Sequence, residues 1–597
     1  TTQLKSDYSG ATQEVKSIRY AKRWRIEPSD SAAYRRGELV RPVKQLVFYI
    51  DSLMPVKWNP YIKAGAESWN KAFEKIGFKD VICVKEFPKN DTLFNANSFD
   101  CMTIRYSASW LNSAQTTIHS DTRTGEILNA SILINANMIS VQYADRIGAT
   151  VAIDPRVRTT VFPQEIQGEL IQAAIAQAVG TGLGLTMNWG ASCAYPVDSL
   201  RSASFTQKYG LASSVMGGVI INDVATEEDV RNGVCLVNAK PGPYDELVIK
   251  YLYQPIYASS LQEEKETLDS WIREHTGDPY YAYIRNQSRF DSDPRNSRGS
   301  LGDDHLKSFD YMLPNVRKGF ENYYSWFAKE DRDFLMRRRV HSALSERLSG
   351  RIYAILSYIG GIYLNDIREK DAIPSYSMVD REKQKAALSK ALELAKNLDW
   401  VDDTAHLNEF EISDKKADRL RLDIFNGIFG RLPYVEVCTE RFPDAAYTAS
   451  EYLDDIYGIV WEGVLKHRPL ENFERALQTA FLESIISTST ATAPIGSFKA
   501  SKTGFAATGK PEINLAALRN GGKVDMKMYS LQNAEEVAGF SSIPPIYTNQ
   551  TKIAAYYFDL LMRTKDMLKK AISTAPEADR SHYDLLIYRI NKATEIE

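Results

Sequence analysis

A helix-favouring run that stops in a cluster of glycines constrains this chain more than any other segment. Glu165-Ile166-Gln167-Gly168-Glu169-Leu170-Ile171-Gln172-Ala173-Ala174-Ile175-Ala176 favours a helix, and Gly180-Thr181-Gly182-Leu183-Gly184 follows closely. Glycine enters the left-handed conformation that closes a helix at little steric cost, so Gly182 and Gly184 read as C-terminal caps. A phosphate-cradling glycine loop has the opposite order: it follows a strand and opens a helix, so that free amides face the anion. The segment is therefore predicted to end a helix and turn the chain, and nucleotide binding is set aside.

The turn redirects Leu185 to Asn188. Positions 177 and 181 of a helix lie one turn apart on a shared face, and a turn at Gly184 can return position 187 to the same point. This is the frame in which H-E-x-x-H-x-x-G-x-x-H gathers three imidazoles around zinc. Laid on it, Gln177 takes the first His position, Ala178 the general base, Thr181 the second His, Gly184 the turn and Met187 the third His. Gly184-Leu185-Thr186-Met187-Asn188-Trp189-Gly190-Ala191-Ser192 and Tyr195-Pro196-Val197-Asp198-Ser199-Leu200-Arg201-Ser202 extend the match. They resemble the G-L-R-H-N-x-x-A-S and Y-P-V-D-S-L-R-S of the large envelope metallopeptidases of Bacteroidota, whose catalytic module is the Met-zincin domain. Ser213-Ser214-Val215-Met216, continuing Gly217-Gly218, is similar to that family's Met-turn, usually S-I-M-D-Y. Lys22 to Pro28, Pro42 to Asp51 and Leu301-Gly302-Asp303-Asp304 resemble further segments of it, and the likeness is strongest over residues 22 to 220.

The resemblance implies a zinc endopeptidase, with a site on which the residues present do not agree. Zinc takes imidazole or thiolate ligands, three of them in a catalytic site that keeps a water. Gln177 offers a neutral amide, Thr181 a hydroxyl, and Met187 a thioether better matched to copper(I). Ala178 has no group that can take a proton from bound water. The seven His (His119, His275, His305, His341, His406, His467, His582) include no pair four residues apart, and the five Cys form no C-x-x-C. The expectation is a catalytically degenerate homologue with no cofactor, retaining Gly184, Asn188 and Met216 as structural remnants. It would serve as a binding or scaffold subunit of a bacterial cell-envelope assembly. Two alternatives stay open: an active zinc endopeptidase with unrecognised ligands, and a stand-alone peptide receptor using the old cleft.

At 597 residues the chain suggests two or three domains. Residues 1–44 read as a basic-rich arm or the remnant of a preceding domain, 45–235 as a metzincin-like α/β module, and 236–597 as a mainly helical domain. Strands are predicted at Gln45 to Ile50, Val81 to Lys85 and Met102 to Tyr106, and Thr116 to His119 and Ile127 to Asn135 flank a turn as a hairpin. In metzincins the strand bordering the cleft pairs with extended substrate, so Ala130, Ser131, Ile132, Leu133, Ile134 and Asn135 are the candidate polypeptide-binding edge. Helical spacing covers Phe309 to Ala328, Asp331 to Tyr363, Arg381 to Leu398, Ala445 to Leu465, Leu470 to Ile486 and Lys552 to Thr574. Ser487 to Lys510, rich in Ser, Thr, Ala and Gly, reads as a mobile loop, and Asp303-Asp304 and Asp402-Asp403 as solvated acidic loops.

A net charge of -3 gives no electrostatic footprint for nucleic acid. No apolar run reaches eighteen residues, so no transmembrane helix is expected. The chain starts at Thr1 without a leader, and the family resemblance implies export, with a lipid anchor on an N-terminal part outside this sequence as one option. The expected partners are other envelope proteins or a polypeptide segment.

Overall fold

The computed structural model describes the chain apart from residues 1, 7–14, 89, 92, 112–113, 285–291, 297–299, 366, 368–370, 372, 403–414, 489–549 and 595–597. It divides into two compact units, Thr1–Leu420 and Arg421–Glu597, and the division falls within the helix Lys416–Arg441.

Nine strands are described: β1 (Thr2–Ser6), β2 (Val15–Arg19), β3 (Leu46–Ile50), β4 (Ile82–Glu86), β5 (Met102–Ser107), β6 (Ala114–Ser120), β7 (Ile127–Asn135), β8 (Ile362–Leu364) and β9 (Tyr376–Met378). The main sheet runs β4-β3-β5-β7-β6, parallel throughout except for β6, which is antiparallel to β7. Leu46, Phe48 and Ile50 of β3 are buried in alternation with half-buried Val47 and Tyr49, while Met102, Thr103 and Ile104 of β5 are buried in succession. Continuous burial marks a strand covered on both faces. By contrast β6 has no fully buried residue and exposes every second side chain, as suits the outermost strand.

The predicted β6–β7 hairpin is present, with Gly125 at φ +79° in its turn. The candidate binding edge, however, is placed one strand too far inward. Ile132, Leu133 and Ile134 of β7 pair with Ile104, Arg105 and Tyr106 of β5 on one side and with Thr116, Gln115 and Ala114 of β6 on the other. Ala130 and Ser131 pair with β6, and Asn135 with β5. Among the described residues the outer strand on this side of the sheet is β6, as β4 is on the other. Alternation identifies a strand and its faces but carries no information about its neighbours.

The expected arm is, from residue 22 onward, part of the module. Trp24, Ile26, Ala33 and Val40 are buried in the same apolar cluster as Leu46, Phe48, Ile132 and Val179, and the backbone of Arg23 pairs with the start of β7, its N–H on Gly125 O and its carbonyl on Ile127 N. Basic residues at 22, 23, 25, 35 and 36 mask this in the sequence, because their charged ends stay wet while the interleaved apolar residues turn inward.

Helices of the first unit are α1 (Ser31–Arg35), α2 (Asn59–Glu67), α3 (Asn70–Glu74), α4 (Ala136–Thr150), α5 (Gln164–Gly182), α6 (Ala203–Tyr209), α7 (Glu227–Arg231), α8 (Pro243–Tyr253), α9 (Leu261–Arg273), α10 (His305–Phe327), α11 (Leu335–Leu356) and α12 (Arg381–Lys396). The long α10 and α11 pack on each other and on α4. Asp223, fully buried, receives Arg347 and Arg351 of α11. The acidic pairs are structural: Asp304 caps α10 through Leu306 and Lys307, Asp303 accepts from Val197 N, and Asp402 accepts from Lys416 and Ala417 N; Asp403 lies outside the described residues.

The second unit contains Ala449–Val460, Glu462–Leu465, Asn472–Thr488, Gln550–Ala571 and Glu577–Thr594, around Phe425, Phe429, Trp461, Phe481 and Tyr557. The predicted loop Ser487 to Lys510 lies outside the described residues except for its first two positions, which end a helix.

Candidate functional site

Helix α5 lies against β6, where the Thr116 hydroxyl donates to the Ala178 carbonyl at 2.9 Å. A helix end leaves carbonyls without intrahelical partners. Here distant side chains take them up: Trp24 Nε1 donates to Gly182 O (2.9 Å) and the Tyr253 hydroxyl to Leu183 O (2.6 Å). Trp69 Nε1 donates to Ala176 O at 2.8 Å, holding the preceding turn.

Gly184 closes the helix at φ +90°, with its N–H on Thr181 O (2.9 Å) and Leu185 N–H on Gly180 O (3.1 Å), the Schellman arrangement. A Cβ on Gly184 would stand 2.0 Å from the Lys22 carbonyl, so both conformation and space demand glycine. Beyond this turn the chain comes back to α5. The Gln177 side-chain amide donates to Met187 Sδ at 3.0 Å, and the Thr181 hydroxyl to the Gln177 carbonyl at 3.3 Å. Gln177, Thr181 and Met187 are each half-buried, whereas Ala178 is 5% exposed and packed in the main apolar cluster.

Beneath α5 runs the turn Val215–Gly217. Met216 is fully buried under Gly180, so close that a Cβ on Gly180 would lie 2.5 Å from Met216 Sδ and 2.5 Å from Trp69 Cζ2. Its carbonyl accepts from Asn188 N at 3.0 Å, and the Asn188 amide donates to Ala282 O at 3.0 Å. The turn hangs on Asp245 of α8. Asp245 accepts from the Ser214 hydroxyl (2.6 Å), Val215 N (2.8 Å) and Gly242 N (2.9 Å). Complete burial outweighs these three hydrogen bonds and pushes the Asp245 carboxyl up to about 7.

The structure brings Gln177, Thr181, Gly184, Met187, Asn188 and Met216 together in one frame, and leaves Ala130 to Asn135 inside the sheet. The sequence does not reveal Trp24, Trp69, Thr116, Tyr253 or Asp245. Gly242-Pro243 followed by Asp245 carries a local signal, since proline at the first helical turn and an acid three residues after the cap announce a helix start. Nothing in that signal says which distant turn the acid will hold.

The donor set does not fit a zinc ion. An amide, a hydroxyl and a thioether are all neutral, and the Gln177 amide is already engaged with the Met187 sulfur. Among the described residues, no three His, Cys, Asp or Glu side chains converge in a way that could hold a metal.

A mixed sheet with one antiparallel outer strand, a helix closed by glycine behind it, and a methionine turn under that helix define a metzincin-type module. The family model described as Met-zincin matches residues 159–468, just over half of the chain, and the protein belongs to that family. No curated protein and no solved structure matches the chain.

Proposed function

We propose that this Met-zincin does not hydrolyse peptide bonds and instead holds polypeptide, as a binding or scaffold subunit of a bacterial cell-envelope assembly. One observation carries the proposal: the Gln177 amide is bonded to Met187 Sδ, so two of the positions that would bind metal satisfy each other. Ala178, at the base position, has no proton acceptor and sits among apolar side chains. Polypeptide is the favoured cargo because β6, alongside α5, has no strand on its outer side among the described residues. An unpaired edge offers backbone donors and acceptors to an extended chain without any metal. The envelope location rests on the sequence resemblance to Bacteroidota metallopeptidases. Among the described residues no helix is long and apolar enough to cross a membrane.

Elemental analysis of protein purified from zinc-supplemented medium tests the first half, with a casein cleavage assay beside it. The expected result is no stoichiometric zinc and no cleavage. One tightly held zinc per chain, lost when Gln177, Thr181 and Met187 are changed, would return the protein to the working peptidases. Affinity purification from solubilised native envelope tests the second half. Recovery of the chain in a complex supports the scaffold role, and recovery of the chain alone favours a solitary receptor that uses the same β6 edge.

A further inference from the structure

Helix α5 is covered on three flanks near its end. Gly182 touches the sheet, where a Cβ would stand 3.4 Å from Ala130 Cβ and 3.7 Å from Thr116 Cγ2. Gly168 and Ile175 meet Tyr61 and Gly65 of α2, and Gly180 lies on Met216 and Trp69. Gln177 and Thr181 stand about 150° round the helix from Gly168 and Ile175, at 3.6 residues per turn, so they point away from α2.

That direction has a meaning in the sheet. Helix α2 lies along β4, where the Glu67 carboxylate accepts from Val84 N at 3.1 Å, and it packs beside α5. Since α5 lies under β6 and β7 and the strand order runs from β4 to β6, pointing away from α2 is pointing out past β6. One and two turns earlier on the same flank, Ala173 and Leu170 are buried with Ala149, Ile221 and Val237. Only the last turn is left half-buried, at Gln177 and Thr181, and an extended chain paired along β6 passes it.

A glutamine amide has two N–H donors and a carbonyl oxygen with two lone pairs. One N–H of Gln177 goes to Met187 Sδ, a weak acceptor; among the described residues the other N–H and Oε1 have no protein partner. Thr116, Gln177, Ala178, Thr181 and Met187 are all uncharged, so a charged side chain entering here would lose water without gaining a countercharge. A peptide group is neutral and brings one donor and one acceptor, the complement of what the amide has left. An extended chain presents such groups whatever its sequence. We propose that Gln177 binds a main-chain peptide group of a polypeptide held on β6, so that the position aligned with a zinc ligand reads backbone. The assignment rests on the reading of the protein as a polypeptide holder and names the residue that grips what is held.

The test pairs a change in the protein with a change in the backbone of the ligand. Random dodecapeptides are displayed and selected on the full chain, and hydrogen exchange picks those that protect Ala114 to Ser120. Each is resynthesised with one backbone N–H at a time replaced by an ester oxygen, then measured on wild type, Gln177→Leu and Gln177→Met. The methionine variant keeps the length of the side chain without its amide and guards against a packing fault in the leucine variant. One ester position should weaken binding to wild type by about twofold to tenfold, the worth of one hydrogen bond, and leave both variants unaffected. Ester positions that face β6 should weaken all three proteins alike. If every ester position acts equally on all three, Gln177 grips no peptide group, and the polypeptide-holding role stands without it. Coupling of Gln177 to an Asn or Gln side chain of the peptide, with none to its backbone, also overturns the assignment. If no peptide that protects β6 is enriched, the polypeptide-holding role fails at this edge and the assignment fails with it.

Discussion

Replacing Gly184 by alanine tests the frame at its tightest point, and Gly37 supplies a matched control. Both glycines close a helix in the same way: Gly37 has φ +83° with its N–H on Tyr34 O and Glu38 N–H on Ala33 O, repeating the pattern at Gly184. A left-handed alanine costs about 1–2 kcal/mol wherever it occurs. Around Gly37 a new Cβ meets nothing within 4 Å, so Gly37→Ala should cost that amount and no more. At Gly184 the Cβ would lie 2.0 Å from the Lys22 carbonyl, a backbone atom that cannot swing aside. Forced displacement in a packed interior adds about 1–3 kcal/mol, for a total of about 2–5 kcal/mol. Urea titration followed by tryptophan fluorescence measures the difference, because all tryptophans except Trp461 lie in the first unit. If Gly184→Ala is no more destabilising than Gly37→Ala, then the Lys22 segment does not press on the turn, and the account of how Met187 reaches Gln177 loses its support.

Three further outcomes follow from the site. Gln177→His, Thr181→His and Met187→His together should create zinc affinity measurable by competition with a chelator, since the turn already brings 187 to 177; binding no tighter than wild type would show that the three positions do not converge on one point. Adding Ala178→Glu to that variant should lower its stability by several kcal/mol, as the new carboxylate enters an apolar cluster, and a thermal melt unchanged from the triple variant would contradict the burial of position 178. Asp245, raised from 3.8 to about 7, holds its proton longer when folded, so its contribution falls as pH rises between about 4 and 7; buried His305, lowered from 6.5 to about 4, contributes stability that is lost as pH falls through the same range. The two slopes oppose each other at up to about 1.4 kcal/mol per pH unit, so Asp245→Asn should make urea resistance rise between pH 4.5 and 6.5 more steeply than in wild type, and an unchanged slope would mean that Asp245 is ionised throughout.

Local chemistry made the centre of the site readable. The helix run, its closing glycines and the methionine turn all lie between Glu165 and Gly217, and each signal depends on its immediate neighbours. The hairpin was equally plain, because Asp121 to Gly125 has turn composition between alternating strands. Strand order was not readable, for β5 reaches β7 across the intervening β6, and the partner of an edge is set by sheet assembly rather than by the edge itself. The supports of α5 were hidden for a similar reason. Trp24 and Tyr253 look like any aromatic residues until the fold brings their polar atoms to Gly182 and Leu183. Asp245 illustrates the same limit for charge: its sequence neighbourhood announces a helix start, and only the packing above it turns a capping acid into a buried anchor.

The bonds at the end of α5 also impose an order in time. Trp24 is separated by 158 residues from its acceptor Gly182, and its own N–H is joined to the Tyr253 hydroxyl, 229 residues on. A ribosome adds about 5–20 residues per second, so Trp24 emerges about 10–50 s before Tyr253 exists to meet it. Until then Trp24 and Ile26, both destined for the core, lack part of their native cover, and Lys22 meets its turn only once Gly184 has been made. The segment that locks the site is thus synthesised well before the residues that seat it, which leaves the nascent chain with apolar side chains for a chaperone to cover.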